Sequence, residues 1–458
     1  MLFNSFQFLV GFLPAAIAIC LIVDAYPRLR IWTLIVLSLI FYSYWDVRFL
    51  PVLLGSILVN WIVSKIYARV HHNALITAAI VINLLVLGIF KYTRFFSENI
   101  SEIFGIPVGH LAIPLPLGIS FFTFHHIMYL VELRRGHAPV YSLDRYALYI
   151  CFFPQAIAGP LARWNEVIHQ FGQRLVRPGW ERRMALGATF VIAGLVQKLF
   201  LADTLSYTLD PLFARAKLVP LLDGTGWIAL AAGFQIFFDF AGYSDIAIGL
   251  GLIFGVELPR NFDGPFRTTS IRHLWQRWHM TLARFLRDYV FFPLVYIRIG
   301  GKRLRVPRQL AALLLTMALC GLWHGAGWNF VIWGTLQGVA LVIAALWHKY
   351  GPPVPPVIGW AMTVAFFLVT AILFEAKSVE AALNIYRGFA VAPALGDFGP
   401  IFAVAALCAT ALPPSHVICR WLNERPRMVF AGLLGLVGAI LLIQLGGEQA
   451  HEFVYFQF

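Results

Sequence analysis

Long apolar stretches recur along the whole of this chain, and they restrict its fold more than any other feature. A helix needs roughly 20 apolar residues to cross the hydrocarbon core of a bilayer. The composition agrees, because 60% of the residues are hydrophobic and 12% are charged, against about a quarter charged in a soluble domain. Twelve stretches qualify as candidate spans: residues 6–23, 31–45, 50–66, 75–90, 111–131, 184–201, 227–256, 309–324, 330–347, 357–374, 401–418 and 429–445. We therefore predict an all-α polytopic membrane protein with about 11–12 transmembrane helices.

Two further apolar stretches are too short or too interrupted to span the membrane. Residues 146–161 contain Pro154, Gly159 and Pro160, and residues 289–297 contain Pro293. Irregular backbone at membrane depth is tolerated where it is buried in protein or lines a wet cavity. We expect both stretches to form re-entrant helices around a central tunnel, and residues 1–458 to form a single membrane-embedded domain.

Basic residues gather in alternate loops. Residues 132–183 carry eight arginines against four acidic residues, and residues 257–308 carry eleven Lys or Arg against three acidic residues. Cytoplasmic loops collect Lys and Arg, so both loops are predicted to be cytoplasmic and both termini are predicted to face away from the cytoplasm. The net charge of +13 is explained by this topology without a nucleic-acid partner.

Several common catalytic motifs are absent from the sequence: the H-E-x-x-H zinc motif, the G-x-S-x-G nucleophile turn, the phosphate-binding P-loop and the G-x-G-x-x-G dinucleotide motif. The five cysteines form no C-x-x-C pair, which argues against a zinc cluster or a disulfide framework. His125 and His126 are adjacent and would diverge by about 100° on a helix, so they are poorly placed to chelate one metal ion. We expect neither a bound metal nor a bound cofactor.

Residues 272–289 form an amphipathic pattern when they are drawn as one helix. At about 100° per residue, Arg277, Arg284, Arg287 and Asp288 fall on one face. The opposite face carries Trp275, Trp278, His279, Leu282, Phe285, Leu286 and Tyr289. His279 is therefore expected to point into protein. The pattern suits a catalytic histidine and a packed, backbone-bonded histidine about equally well.

Residues 321–334 place His324 at the end of one apolar run and a few residues before the next. A titratable imidazole at that depth is positioned like a buried base or a proton relay. Gly325 and Gly327 permit close approach of backbone or of a ligand. Trp323 and Trp328 suit anchors at the membrane interface equally well, so the pattern leaves both interpretations open.

A third polar group lies inside the candidate span at 227–256. Asp239 and Asp245 occupy one apolar helix, where carboxylates facing lipid would be costly. They could orient an imidazole, pair with an arginine such as Arg260, or line a polar tunnel. A structural ion pair within the bundle is at least as good an interpretation for each carboxylate.

With these residues the sequence resembles the membrane-bound O-acyltransferase family, in particular its bacterial alginate O-acetyltransferase-like branch. The resemblance is strongest over residues 111–350. It is carried by LPLGISFFTF at 115–124, FFPQAIAGP at 152–160, FDFAGYSDIAIGLG at 238–251, WQRWH at 275–279 with LRDY at 286–289, and LWHGA at 322–326. One departure is Gln337, at a position where such proteins commonly carry His.

The resemblance implies an O-acyltransferase in which His324 is the principal catalytic residue and His279 is the second polar position of the active site. It also implies a tunnel that brings acetyl-CoA, the donor substrate, from the cytoplasm to an acceptor on the far side. The phosphates of coenzyme A would suit the basic residues Arg277, Lys302, Arg303 and Arg305. Supporting roles at the site or along the tunnel are expected for Gln155, Tyr243, Asp245, Trp275, Trp278, Asp288, Trp323 and Asn329.

The same resemblance implies a protein of the bacterial inner membrane, in which the predicted orientation makes both termini periplasmic. It also implies O-acetylation of an extracytoplasmic polysaccharide such as alginate, through a periplasmic acetyltransferase-type partner. Acceptors such as cellulose, peptidoglycan or teichoic acid remain open. A different class also remains open: a transporter or proton-coupled flippase that relays protons through Asp239, Asp245, His279 and His324. The lack of an internal repeat weakens that alternative. A scaffold that only anchors a periplasmic enzyme is the third.

The loop charges generate a test of orientation. In the variant Arg303→Cys, we expect a membrane-impermeant maleimide to label position 303 only after the inner membrane has been breached, because residues 257–308 are predicted to be cytoplasmic. Labelling is compared between intact and permeabilised cells in a background without the five native cysteines. Modification of intact cells would reverse the orientation and move the donor side to the periplasm.

Overall fold

Helices account for all the regular structure in the described part of this computed structural model. The described residues are 1–105, 113–296, 306–393, 399–425, 427–447 and 453. Their α-helices are α1 Leu13–Ile22, α2 Pro27–Ser43, α3 Leu50–Val70, α4 Asn73–Phe104, α5 Ile119–Arg134, α6 Leu143–Cys151, α7 Phe153–Ala156, α8 Trp164–Val167, α9 Trp180–Val196, α10 Thr204–Ala216, α11 Ala232–Ile253, α12 Ile271–Arg277, α13 Met280–Phe285, α14 Phe292–Tyr296, α15 Val306–His324, α16 Trp328–Tyr350, α17 Pro356–Glu375, α18 Val379–Arg387, α19 Pro400–Thr410, α20 Ser415–Glu424 and α21 Met428–Gly447.

Shorter irregular helices continue or connect these elements. Three have π geometry: Gln7–Phe12, Gln197–Asp203 and Leu286–Phe291. Five have 3₁₀ geometry: Val47–Phe49, Ile168–Gln170, Thr225–Ala231, Pro265–Arg267 and Gly388–Ala390. Proline stands in the first turn of α2, α17 and α19, where its missing N–H has no intrahelical partner to lose.

The prediction of an all-helical, multi-pass membrane protein is confirmed, with fewer long spans than the sequence suggested. Seven helices of the described chain are long and apolar enough to cross a bilayer: Val47–Val70, Asn73–Phe104, Trp180–Ala216, Thr225–Ile253, Trp328–Tyr350, Pro356–Glu375 and Met428–Gly447. An eighth is formed if α19 and α20, bent by 70°, are one broken span. The stretches predicted at 6–23, 31–45 and 309–324 are also helical over most of their length. The stretch at 111–131 is helical from Ile119 onward, and its residues 111 and 112 lie outside the described part.

The stretch at 146–161, expected to be re-entrant, consists of two short helices separated at Phe152. Phe152 has extended backbone (φ −50°, ψ 109°) because Pro154 disfavours a continuous helix. Every residue from 151 to 160 is buried. The second stretch, at 289–297, holds α14 and has half-buried or exposed side chains up to Tyr296.

The chain divides into two compact units. The first comprises Met1–Leu195, Tyr243–Arg260 and Cys419–Glu452. Within it, the buried guanidinium of Arg30 donates a 2.7 Å hydrogen bond to the Phe171 carbonyl and lies 3.8 Å from the Asp24 carboxylate. Close helix packing is permitted by glycine, since a Cβ at Gly187 would lie 2.7 Å from the Gly249 carbonyl oxygen. The prediction of one domain over 1–458 stays a prediction.

The second unit comprises Val196–Gly242, Asn261–Ile418 and Phe453–Phe458. Its centre is the helical hairpin of α15 and α16, whose short connection runs from Gly325 to Gly327. The two helices meet at Gly321 and Gly334, where a Cβ on Gly321 would lie 2.2 Å from the Phe330 carbonyl oxygen. Small residues let helices approach this closely in a membrane protein. The connection Gly325–Gly327 follows directly after His324.

The glycine contact in the hairpin generates a stability prediction. We expect Gly334→Ala to lower the free energy of unfolding by about 1–3 kcal/mol, because the new Cβ would lie 2.4 Å from the Met317 carbonyl oxygen and 2.8 Å from the Gly321 Cα. Thermal unfolding of the purified protein in detergent measures the change. Gly435→Ala in α21, where a Cβ meets nothing within 4 Å, is the matched control. Equal stability of both variants would contradict tight packing at Gly334.

Candidate active site

The backbone breaks between α12 and α13, at Trp278 and His279. Trp278 is extended (φ −104°, ψ 128°), whereas His279 adopts the left-handed conformation (φ 41°, ψ 53°). Only one other non-glycine residue of the described chain, His71, has positive φ. The expectation of one continuous helix over 272–289 is therefore wrong. A non-glycine residue in this region costs of order 1–3 kcal/mol and persists only where its surroundings impose it.

The segment that begins at Asn261 imposes the break. The N–H of Met280 donates to the Asn261 carbonyl at 2.8 Å, and the N–H of Asp263 donates to the Arg277 carbonyl at 3.0 Å. Backbone groups that lose their helical hydrogen-bond partners at the break are thus bonded to the irregular segment at 261–263. The predicted faces survive the break, since Trp275, Trp278 and His279 are buried and Arg277 is exposed.

Asn261 also determines which nitrogen of His279 carries the proton. Its Oδ1 accepts from the backbone N–H of Thr281 at 3.3 Å and from the Thr281 hydroxyl at 2.9 Å. A backbone N–H can only donate, so the Asn261 atom is the oxygen, and the His279 Nδ1 that lies 3.1 Å from it must donate as well. In neutral His279 the proton is therefore on Nδ1 and the lone pair is on Nε2.

Burial keeps His279 neutral. The side chain is 0% exposed and lies outside the helices counted as membrane spans. Desolvation of the charged form lowers the pKa of the imidazole to about 3. The ring of Phe240 packs edge-on against it, with 4.5 Å between ring centroids. A neutral imidazole with its lone pair on Nε2 can accept a hydrogen bond at neutral pH, whereas so low a pKa makes it a weak base.

His324 is the last residue of α15 and lies in an aromatic cage. Its ring centroid is 4.8 Å from that of Trp323, 5.3 Å from Trp333 and 5.1 Å from Phe374, with the rings edge-on to one another. The side chain is 5% exposed. The next residue is Gly325, and only glycine fits there because a Cβ would lie 2.1 Å from the ring of Phe330. The glycine thus serves side-chain packing beside the histidine.

The structure brings the two predicted histidines together. The ring centroids of His279 and His324 are 6.5 Å apart, and Trp323 lies beside both, at 6.4 Å and 4.8 Å. Residues separated by 45 positions in the sequence therefore share one buried, aromatic environment. This pair of imidazoles is the candidate active site.

Other predicted residues surround the pair or lie elsewhere in the second unit. Trp275 donates through Nε1 to Gln337 Oε1 at 3.3 Å, and Gln337 donates to the Thr370 hydroxyl at 2.9 Å. Asn329 donates to the carbonyls of Leu373 and Ala376 at 3.2 and 2.8 Å, which holds the start of α16 against the end of α17.

Trp278 and Asp288 have different surroundings from the histidine pair. Trp278 packs against Phe367, with 4.6 Å between ring centroids. The Asp288 carboxylate accepts a 2.7 Å hydrogen bond from Arg287 and is half-buried. Of the basic residues expected at the donor side, Arg277 is exposed, whereas Lys302, Arg303 and Arg305 lie outside the described residues.

Three predicted residues belong to the first unit, and each is described within it. Gln155 is buried and donates to the Tyr149 carbonyl at 2.7 Å, across the break between α6 and α7. Tyr243 is buried with its ring centroid 5.1 Å from that of Phe3. Asp245 is 6% exposed and lies two residues after Tyr243, where this unit's part of α11 starts.

Asp239 belongs to the second unit and forms a structural ion pair, one of the interpretations that the sequence left open. Its partner is Lys198, not an arginine: the ammonium lies 2.6 Å from Asp239 and 2.8 Å from Asp203. All three side chains are at most 7% exposed. No sequence pattern predicted that Lys198, which lies within an apolar run, would face these two carboxylates.

Sequence reasoning also missed Asn261, Phe240, Trp333 and Phe374, which hold or enclose the two histidines. Asn261 follows a basic loop residue and precedes a Phe-Asp-Gly turn, so it looked like a loop residue. No grouping of three or more His, Cys, Asp or Glu side chains suited to a metal ion occurs in the described ranges.

Comparison with known proteins defines the class. A family model for MBOAT, the membrane-bound O-acyltransferase family, matches residues 117–380. A peptidoglycan O-acetyltransferase of Helicobacter pylori is 34% identical over 426 residues, covering 85% of this chain and 79% of that protein. A probable alginate O-acetylase, AlgI, of Pseudomonas aeruginosa is 37% identical over 400 residues, covering 84% of this chain and 74% of that protein.

A third relative is more distant. A teichoic acid D-alanyltransferase of Streptococcus thermophilus is 31% identical over 242 residues, which cover 51% of this chain and 57% of that protein. The matched family region includes both His279 and His324. The chain belongs to the membrane-bound O-acyltransferase family, and the prediction that it is an O-acyltransferase is confirmed.

The contact between Asn261 and His279 generates a pH prediction. Between pH 8 and 4.5 we expect no protonation of His279, because burial holds its pKa at about 3. In Asn261→Asp, a carboxylate beside Nδ1 favours the imidazolium and raises this pKa into the range of about 4–6. The ¹⁵N chemical shifts of histidine-labelled protein in detergent report the difference. Thr281→Val removes one hydroxyl donor without adding charge and is the control; titration of His279 in the unaltered protein would contradict the assignment.

Proposed function

We propose that the protein is an O-acetyltransferase that takes an acetyl group from acetyl-CoA and transfers it toward a hydroxyl group of an extracytoplasmic polysaccharide. The observation that carries this proposal is the buried pair of His279 and His324. Two relatives that cover most of the chain are named for O-acetylation, one of peptidoglycan and one of alginate. Family membership also supports transfer chemistry over the transporter alternative.

His324 is proposed as the general base. As the acceptor oxygen attacks the thioester carbonyl, the hydroxyl proton moves to the imidazole of His324, and a C–O bond forms. Collapse of the tetrahedral intermediate breaks the C–S bond, and the proton passes from the imidazolium to the departing thiolate, which leaves as free coenzyme A. General-base catalysis of this kind contributes roughly 10²–10⁴-fold.

His279 is proposed as the second polar group at the reacting centre. Because Asn261 holds the proton on Nδ1, the Nε2 lone pair is available to accept a hydrogen bond from the attacking hydroxyl or from a protonated group. The left-handed backbone and the fixed tautomer restrict the imidazole to one orientation. Such preorganisation lowers the entropy that must be lost when the reacting groups meet.

The aromatic cage suits a reaction in which water competes with the acceptor. Trp323, Trp333 and Phe374 surround His324, and Phe240 covers one side of His279. Exclusion of water protects the thioester from hydrolysis and strengthens electrostatic interactions within the site. Trp275 and Asn329 support this arrangement, since their hydrogen bonds join α12 to α16 and α16 to α17.

The direction of transfer follows the predicted topology. The basic loops at 132–183 and 257–308 predict that the donor side faces the cytoplasm, where acetyl-CoA is found. Arg277 belongs to the second of these loops and is exposed. We propose a tunnel that leads from there past the histidines to the periplasm. A periplasmic acetyltransferase-type protein would then complete the modification.

Alginate and peptidoglycan are both proposed as acceptors, and the relatives support them to similar degrees. Identity is 37% to the alginate O-acetylase and 34% to the peptidoglycan O-acetyltransferase. Alanylation of teichoic acid has less support, because that relative matches about half of the chain. A proton relay through Asp239 has less support too, because its carboxylate is bound to Lys198.

The proposal predicts that His324 is needed for chemistry and not for folding. We expect His324→Ala and His324→Gln to lower acetyl-CoA turnover by roughly 10²–10⁴-fold, since neither side chain can accept the hydroxyl proton. Release of free coenzyme A from purified protein is measured with alginate or peptidoglycan offered separately, together with the periplasmic components of the system. Size-exclusion chromatography in detergent reports folding.

His348→Gln is the matched control, because His348 is exposed in the last turn of α16. It should keep the turnover of the unaltered protein. Activity of a folded His324→Gln variant near that level would remove His324 as the base. If His324→Ala aggregates while His324→Gln is folded and inactive, the histidine has both a packing and a chemical role.

A further inference from the structure

A cleft in the first unit collects three arginines that the proposed reaction does not use. It has a volume of about 330 Å³, and its polar lining consists of Arg182, Arg183, Glu257, Arg420, Asn423 and Glu424. Leu186 and Leu252 contribute an apolar wall. We name it the arginine cleft.

The arginine cleft lies where membrane-spanning helices end. Arg182 and Arg183 are in the first turn of the span Trp180–Ala216, and Leu252 is in the last turn of the span Thr225–Ile253. Asn423 and Glu424 end α20, four residues before α21 begins at Met428. Residues at the ends of spans stand at the level of the lipid headgroups, and these ends adjoin the loops predicted to be cytoplasmic.

The helix on one side of the cleft has the character of an interfacial helix. Val417, Ile418 and Trp421 of α20 are exposed apolar side chains, whereas Arg420 and Glu424 are polar. The Arg425 guanidinium lies 5.2 Å from the centre of the Trp421 ring. Tryptophan with arginine on an amphipathic helix is typical of a segment at the headgroup boundary.

We propose that the arginine cleft binds the phosphate of an anionic phospholipid of the cytoplasmic leaflet. Guanidinium groups match phosphate oxygens in geometry and charge, and the Asn423 amide adds neutral hydrogen-bonding capacity. Arg182 and Arg420 are exposed enough to reach a ligand, while Arg183 is committed in part to the Leu175 carbonyl. Arg425 and Arg427, which follow α20, add positive charge nearby.

The apolar wall favours a lipid over a free phosphate compound. Leu186 lies about one turn further into the span Trp180–Ala216 than Arg182 and Arg183, and Leu252 is still within the span Thr225–Ile253, so both leucines belong to the apolar spans. A phospholipid can place its phosphate on the arginines and its glycerol and first acyl carbons against these leucines. Basic pockets between the cytoplasmic ends of spans are suited to such headgroups.

Native mass spectrometry of the full-length protein in detergent tests the proposal. The probes are phosphatidylglycerol and phosphatidylcholine with the same acyl chains. We expect phosphatidylglycerol to bind preferentially, and the pair Arg182→Gln with Arg420→Gln to weaken its binding by about 25-fold, from about 5-fold for each surface arginine. Arg69→Gln with Arg134→Gln removes the same charge from exposed positions outside the cleft and should have little effect.

A second variant keeps the test decisive if the double variant is not monodisperse. Asn423→Asp adds a carboxylate to the lining with little change in shape and should weaken phosphatidylglycerol binding by about 5-fold. Equal binding of the two lipids, or an equal loss in the control pair, would overturn the proposal. Displacement of phosphatidylglycerol by millimolar glycerol phosphate or coenzyme A would show that the cleft takes a free phosphate compound instead, which also overturns it.

Discussion

Backbone polar groups that are removed from water must form hydrogen bonds within the protein, and this requirement governs the structure. A continuous helix satisfies that requirement by itself, which is why the described chain is helical throughout its regular elements. An interruption is then possible only where other protein groups replace the lost hydrogen bonds. At Trp278–His279 the replacements come from the chain at 261–263, through Met280 to Asn261 and Asp263 to Arg277.

The same interruption creates the candidate site. In a continuous helix the side chain of His279 would point about 100° around the axis from that of Trp278. The left-handed conformation turns it instead toward Asn261, Phe240 and His324. The hairpin of α15 and α16 supplies the second imidazole. Its close glycine contact at Gly321 and Gly334 fixes the position of the end of α15, where His324 lies. Backbone irregularity and glycine packing thus combine to hold the two imidazoles in one aromatic enclosure.

Buried charge is handled in two ways in this protein. Charges that serve the architecture are paired: Arg30 with Asp24 in the first unit, and Lys198 with Asp203 and Asp239 in the second. Breaking such a pair would leave a charge without compensation in a medium of low dielectric constant, which is strongly destabilising. At the proposed reacting centre, His279 is instead kept neutral by burial, so its Nε2 can accept a hydrogen bond without an ion pair being broken.

The sequence by itself determined the class of fold and the membrane-bound character, and it predicted the two histidines of the candidate site, because apolar length, loop charge and local motifs are properties of consecutive residues. It also predicted which face of 272–289 is buried, since that depends on spacing alone. Only the tertiary structure decided that this segment breaks at His279, that Asn261 fixes its tautomer, that Asp239 pairs with Lys198 and that Gly325 receives the ring of Phe330. Each of these depends on residues far apart in the chain, whose contacts exist only after the helices have packed.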